Sequence, residues 1–370
     1  MSPPARLRPP ACEVCDQTTA LIICQPCQAV WYCSPDHEDS DREKHRHACK
    51  VVASTRADYE VEERILRDES STDGRASCFE TDAGRFGRIR EARAYLAARR
   101  KHADQLLHFF GSTDGEDTVT ARSDVLELAL SELLDITRLS RTDEVEARAS
   151  IPAIYLALGR DQEAYDFIKW ITVAYNTWDP DDWDDLDRPF LDLRGEDVLE
   201  GNLDVWLRRC DEMLTFIVAV ILIKLRVVMC LLDIQKARRS LAGALPNEIV
   251  DIICWHLAGP VLSCRPDILT KGVKQTMYLI FELKHQALEL YVAVTECSNT
   301  PFWDLMLDSD SEAVKRNKKR QLAPQSGDEL DLMARCNFTP WLMTPAALEA
   351  VREWRAWILR GGLEWLREMP

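Results

Sequence analysis

The sequence predicts a small zinc-stabilised finger followed by a mainly all-α domain. Three observations carry that prediction. Eight thiol and imidazole groups crowd into residues 12–49 at regular spacing: Cys12, Cys15, Cys24, Cys27, Cys33, His37, His45 and Cys49. Behind them apolar residues recur at helical intervals, and no convincing alternating strand pattern appears. Of the 13 cysteines, six lie in the first 49 residues and seven are scattered, which fits metal at the front and buried thiols behind.

The eight ligands form four two-ligand knuckles. Cys12/Cys15 and Cys24/Cys27 have the x2 spacing of chelating turns, while Cys33/His37 and His45/Cys49 place the second ligand one helical turn after the first. Zinc is borderline soft and is held best by thiolate and imidazole in four-coordinate sites, so eight ligands fill two Zn(2+) sites. That count leaves no position open for a catalytic water, and both ions are expected to be structural. A segment of about 40 residues is too small to hold itself together by apolar burial, so the metal substitutes for a core. His47 is an alternative to His45, but the x3 spacing of His45 to Cys49 suits one helical turn better.

These ligands, with Trp31-Tyr32-Cys33-Ser34 among them, resemble the MYND zinc finger. The resemblance implies a cross-brace in which Cys12, Cys15, Cys33 and His37 bind one zinc and Cys24, Cys27, His45 and Cys49 the other. It also implies contact with a protein partner. Three positions depart from the family pattern: His37 stands where Cys is commoner, Glu38 where Gln is usual, and Arg42 where a Trp often helps form a peptide groove. The finger with a helical body, including the segments Tyr155 to Phe167 and Thr344 to Glu353, resembles a group of fungal MYND-finger proteins.

Composition narrows the rest. The net charge is −16, yet residues 1–50 carry six basic and seven acidic groups, so nearly all of the excess lies behind the finger. A body that acidic repels phosphate backbones, which speaks against nucleic acid as a partner. Unpaired cysteines suit a reducing compartment, cytoplasmic or nuclear. Residues 1–11 have neither a signal peptide's apolar core nor a membrane anchor and read as a disordered lead-in. Met213 to Ile234 is long enough to span a bilayer, but Lys224 and Arg226 sit mid-segment, each costing about 2.5–3.5 kcal/mol at a helix centre. A buried helix of a globular domain is the better reading.

Along the chain, residues 50–117 read as a helical linker region with loops and residues 118–300 as a helical domain. Arg85, Arg88, Arg90, Arg93, Arg99, Arg100 and Lys101 form a basic stretch, read as a solvated face or one meeting the chain's own acidic loops. Ser123 is a plausible N-cap for the stripe Leu126, Leu130, Leu133, Leu134 and Leu139. Gly159 separates two helices in a hairpin resembling a single tetratricopeptide-like unit, without a 34-residue repeat, so the body is an irregular helical bundle or a set of such hairpins. The aspartates from Asp179 to Asp187 fail the calcium-loop spacing and read as an acidic loop pinned by Trp178 and Trp183. Further helices are expected over Asp197 to Arg209, Met213 to Arg239, Asn247 to Leu257 and Val273 to Val294. Residues 301–342 read as a loop-rich segment whose cluster Lys315 to Arg320 is a candidate import signal, and residues 343–370 as a C-terminal helix started by Thr344-Pro345.

An enzyme is not expected. Phosphate-loop, H-E-x-x-H and G-x-S-x-G motifs are missing, and Cys254 and His256 stand two apart on a helix, facing different ways. The features of a SET methyltransferase, an Asn-His-Ser-Cys motif, a C-terminal Cys triplet and a SET segment before the finger, are absent from the sequence. The functional expectation is a zinc-binding protein–protein interaction module or adaptor, its partner unidentified, with no membrane role and an open oligomeric state. The rival is a transcriptional regulator contacting DNA or chromatin partners.

Overall fold

A computed structural model describes residues 7–72, 77–111, 121–297, 302–307 and 337–362. They fall into two compact units. The first comprises Ala5–Leu158 with Trp178–Phe190, and the second Gly159–Thr177 with the chain from Leu191 onward.

In the first unit, strands β1 (Ile22–Ile23) and β2 (Trp31–Tyr32) pair antiparallel, Ile22 opposite Tyr32 and Ile23 opposite Trp31. Two residues are too few for an alternation, which is why the sequence carries no strand signal. Helix α1 follows directly and runs unbroken over Pro35–Thr72. Ser34 starts it, its hydroxyl accepting from the His37 N–H at 3.3 Å. The helix expected to leave the finger at residue 50 is thus the same helix that carries three of the zinc ligands.

Helix α2 (Ala92–Leu106) packs along α1, and α3 (Ser123–Leu139) packs on α2. Their contact buries Leu96, Ala103, Leu126, Leu130 and Leu133. Arg99 reaches from α2 to Glu132 and Asp135 of α3, and Arg100 is buried with its guanidinium on Ser150 Oγ (3.0 Å) and Glu146 O (2.9 Å). The basic stretch is therefore only partly a solvated face. Ser123 is the first helical residue of α3 rather than its cap, and its backbone N–H donates to Arg8 O at 3.1 Å. That bond, with Arg8 N–H on Ala121 O (3.0 Å) and a buried Ala11, corrects the disordered lead-in for residues 7–11.

The acidic loop belongs to this unit and is matched by arginines. Arg88 pairs with Asp184, and Arg85 Nε donates to Asp184 O (2.8 Å). An Arg141 guanidinium N–H donates to Asp185 O (2.7 Å), and Arg148 stacks 4.5 Å over the Trp183 ring. Trp178 and Trp183 meet edge to face at 5.1 Å. Arg88 also lies 3.9 Å from Asp181, and Arg188 pairs with Asp182 (2.6 Å) and Asp185 (3.6 Å), so arginines of the same unit face four of the loop's carboxylates.

The two helices around Gly159 exist, but they do not belong to one unit. Helix α4 (Ile151–Ala157) lies in the first unit and α5 (Asp161–Thr177) in the second.

The second unit is built on α6 (Leu214–Leu241), along which α8 (Val273–Cys297) packs, with α7 (Asn247–Leu257) and α9 (Pro345–Trp357) also against it. Helix α6 is long and apolar enough to cross a bilayer, yet 83% of its most apolar window is buried by the protein itself. Lys224, at 0% exposure, donates to Val198 O (2.9 Å), Glu200 O (3.4 Å) and Gln286 Oε1 (2.8 Å). Arg226 pairs with Asp161 at 2.6 Å. The mid-segment cations are thus satisfied inside the fold, as buried charges must be.

The helix expected over Asp197 to Arg209 shrinks to Asp204–Leu207. Gly201 and Asn202 interrupt it, and the freed carbonyls of Val198 and Glu200 are those that hold Lys224. Within the expected loop-rich segment, Phe302–Leu307 is helical, as are residues 337–342, because Phe302, Trp303, Met306 and Trp341 find burial there. Tyr291 stacks on Trp303 (4.8 Å) and meets the half-buried Trp354 of α9 (5.6 Å), while Ala347, Leu348 and Val351 are the buried residues of that helix. Thr344 stands at the N-terminus of α9 but turns its hydroxyl back to Pro340 O (3.0 Å) instead of capping. The cluster Lys315 to Arg320 lies outside the described residues.

Candidate metal centre

The two x2 knuckles are built alike. After Cys12 and Cys24 the chain turns so that the N–H four residues on returns to the cysteine carbonyl: Asp16 N–H to Cys12 O (3.0 Å) and Gln28 N–H to Cys24 O (2.8 Å). Closing this turn takes a left-handed residue, and Asp16 (φ 59°) and Gln28 (φ 52°) supply it without glycine. The second knuckle forms the bend between β1 and β2, with Cys24 N–H on Val30 O (2.8 Å), and Glu13 N–H on Trp31 O (2.9 Å) ties the first to β2. Cys33 sits just after β2 and before the helix, while His37, His45 and Cys49 project from α1.

The ligand atoms converge in two sets, each with all four atoms within 4.8 Å of one another: Cys12, Cys15, Cys33 and His37, and Cys24, Cys27, His45 and Cys49. In the first, His37 Nδ1 lies 3.1 Å from Cys33 Sγ and 3.5 Å from Cys12 Sγ, and Cys15 Sγ is 3.5 Å from Cys33 Sγ. In the second, Cys24 and Cys49 sulfurs are 3.7 Å apart and Cys27 Sγ is 3.3 Å from His45 Nε2. Metal–sulfur bonds of about 2.3 Å at tetrahedral angles separate ligand atoms by about 3.5–3.8 Å, so both cages are sized for zinc. The first and third knuckles share one site and the second and fourth the other, a cross-brace.

His47 is exposed and stands against Phe109 at 5.6 Å, which leaves His45 as the ligand. His45 and His37 are eight residues apart on one helix, about 12 Å of rise, so α1 sets the separation of the two sites.

The electrostatics call for a cation. The Cys24 thiol is held at about 4, first by the Cys27 thiol beside it, and Cys27 is pushed far up by the same contact. Burial opposes ionisation of Cys12, but the backbone N–H groups of Val14, Cys33 and Cys15 outweigh it and bring that thiol to about 6. Cys33 and Cys49 are both driven up to about 11, by burial and then by their neighbouring sulfurs. One thiolate forms readily in each set and the next is opposed by like charge. A divalent ion removes that opposition, the behaviour of a thiolate metal site.

Residues 12–49 match the MYND finger family. They form a MYND-type zinc finger. No curated protein and no solved structure matches the chain.

The finger is fused to its own unit by an apolar cluster of Cys24, Cys27, Ala29, Val30, Tyr32 and Val52 with Leu106 and Val125, flanked by Phe109 and Phe110. Trp31 Nε1 donates to Asp124 Oδ2 at 2.6 Å, and Tyr32 OH to the buried Asp41 at 2.9 Å. Arg122 braces Asp124 (3.0 Å) and Glu13 (3.7 Å). None of these partners was legible in the sequence. Trp31 and Asp124 are 93 residues apart, and only an acidic residue opening a helix marks the position. Of the three family departures, His37 turns into the first cage, whereas Arg42 is 70% exposed on α1 and pairs with Asp39, beside the exposed pair of Arg46 with Glu43.

Proposed function

We propose that this protein is a non-catalytic adaptor whose MYND finger docks a partner protein, with both zinc ions purely structural. MYND fingers are zinc-binding protein-interaction modules, and the observation that supports this role most directly is the closure of both cages. Each has four protein ligands, which leaves no coordination position for a substrate or an activated water. The fusion of the finger to α2 and α3 adds that the binding element is the finger with its supporting helices. The exposed surface of α1 bears Asp39, Arg42, Glu43 and Arg46 in place of an aromatic groove, so the docking favoured here is polar and salt-sensitive. Cytoplasm or nucleus suits twelve described cysteines that are all free of disulfides. The resemblance of the body to fungal MYND-finger proteins belongs with this reading.

The test uses the full chain, since the finger shares its core with the helices behind it. Affinity capture with the wild-type chain and its Cys24→Ser variant, each checked for intact second-unit helicity, is expected to recover finger-dependent partners with the wild type alone. Equal recovery with both removes the finger as the docking element. Methyl transfer to histone or peptide substrates by the purified chain would overturn the non-catalytic reading.

A further inference from the structure

Among the described residues of the second unit, two exposed apolar surfaces stand out, and their flanking charges are opposite. Helix α7 is apolar along most of its length, yet among its residues only Val250 and Cys254 are buried. Ile249 (43%), Ile252 (54%) and Trp255 (46%) form an exposed stripe at i, i+3 and i+6, flanked by the exposed Glu248 and by Asp251, which is 71% exposed and lies 3.7 Å from Arg238 of α6. Elsewhere on the unit, α6 and the start of α8 enclose a groove of about 440 Å³ lined by Leu232, Asp233, Gln235, Lys236, Arg239, Ser240 and Met277. The exposed Val273 and Phe281 extend the Met277 stripe one turn each way, and Lys274 and Lys284 stand beside it. Among the described residues, Lys236, Arg239, Lys274 and Lys284 have no ion-pair partner. A basic rim of this kind is an exception in a chain of net charge −16.

We propose that the protein self-associates, the α7 helix of one copy docking into the α6–α8 groove of a second. The acidic flanks of α7 meet the basic rim of the groove, and Ile252 and Trp255 cover Leu232, Met277 and Phe281. Groove-to-groove or α7-to-α7 pairing sets like charges face to face and is disfavoured. A twofold dimer makes the contact twice, because each copy offers both a helix and a groove. One event thus accounts for both exposed surfaces. A concave groove that contains Asp233 suits a helix better than an anionic lipid surface.

Sedimentation equilibrium on the zinc-loaded full chain, from micromolar to submillimolar concentration and at two salt concentrations, tests the proposal. The wild type is expected to dimerise, more weakly at high salt. Trp255→Glu and Met277→Glu should each raise the dimer dissociation constant by more than about tenfold with unchanged helical circular dichroism. The charge-reversed pair Lys236→Glu with Arg239→Glu should be monomeric, and adding Glu248→Lys with Asp251→Lys should restore the dimer. That rescue distinguishes docking from a folding defect. A wild type that stays monomeric throughout overturns the proposal, as does failure of the four-residue reversal to re-form the dimer. Binding of a monomeric wild type to phosphatidylserine vesicles, or to a designed acidic amphipathic peptide, would also overturn it and give the groove another occupant.

Discussion

At the scale of single residues, the metal ligands and the buried Lys224 make opposite demands on charge. Each cage places three thiols and one imidazole around a point where repulsion keeps the thiols from ionising together without a cation. Cys24→Ser is therefore expected to lower bound zinc from two ions per chain to one, read by elemental analysis after gel filtration. Retention of two ions would assign the second site differently. Lys224 is a lone ammonium held by two carbonyls and an amide oxygen, and burial lowers it to about 8 from an ordinary value of 10.5. Between those two values the unfolded chain keeps its proton and the folded chain has released it, so stability rises with pH across that window. Below pH 8 the full penalty applies. Urea midpoints at pH 8 and pH 10 should show the rise in the wild type and lose it in Lys224→Met. All eight ligands were legible in the sequence because zinc chemistry dictates both residue type and spacing. The carbonyl cradle of Lys224 was not, because it exists only where a helix fails at Gly201-Asn202.

Elements were legible where they are long and periodic. Helices α3, α6, α7, α8 and α9 follow from apolar spacing, whereas the two-residue strands and the continuity of α1 through the zinc ligands carry no periodic signal. Helix α1 is mostly polar, and what fixes it as one piece is the cap at Ser34 and the seam of Val52 against Leu106 and Val125. The hydrogen bond from Trp31 to Asp124 joins β2 to the start of α3, and hydrogen bonds to charged groups contribute about 1.5–3 kcal/mol. Trp31 is half-buried and Asp124 keeps Arg122 as a partner, so Trp31→Phe should cost about 1–2 kcal/mol. Chemical denaturation of the zinc-loaded chain measures the loss, and faster zinc transfer to a chelator should accompany it. A change in stability without a change in transfer rate would mean that β2 is not what α3 steadies.

For the whole molecule, the division into two units predicts where metal removal is felt. Chelation of both ions should raise amide exchange across residues 12–60 and at Leu106 to Phe110, which share the finger's apolar cluster. Helix α6, in the other unit, should keep its protection. Uniform loss of protection along the chain would show that the units unfold as one. The sequence pointed to a finger on a helical body but not to this division, because the boundary at Gly159 looks locally like an ordinary helical hairpin. The unbroken run of α1 has one more consequence. Each residue of an α-helix turns the chain by about 100° and advances it about 1.5 Å. One residue inserted between Cys49 and Val52 would therefore swing the metal cages a quarter-turn or more away from Leu106 while leaving every ligand intact. The finger is keyed to its body by angular phase, and natural variation in this stretch should come in whole turns.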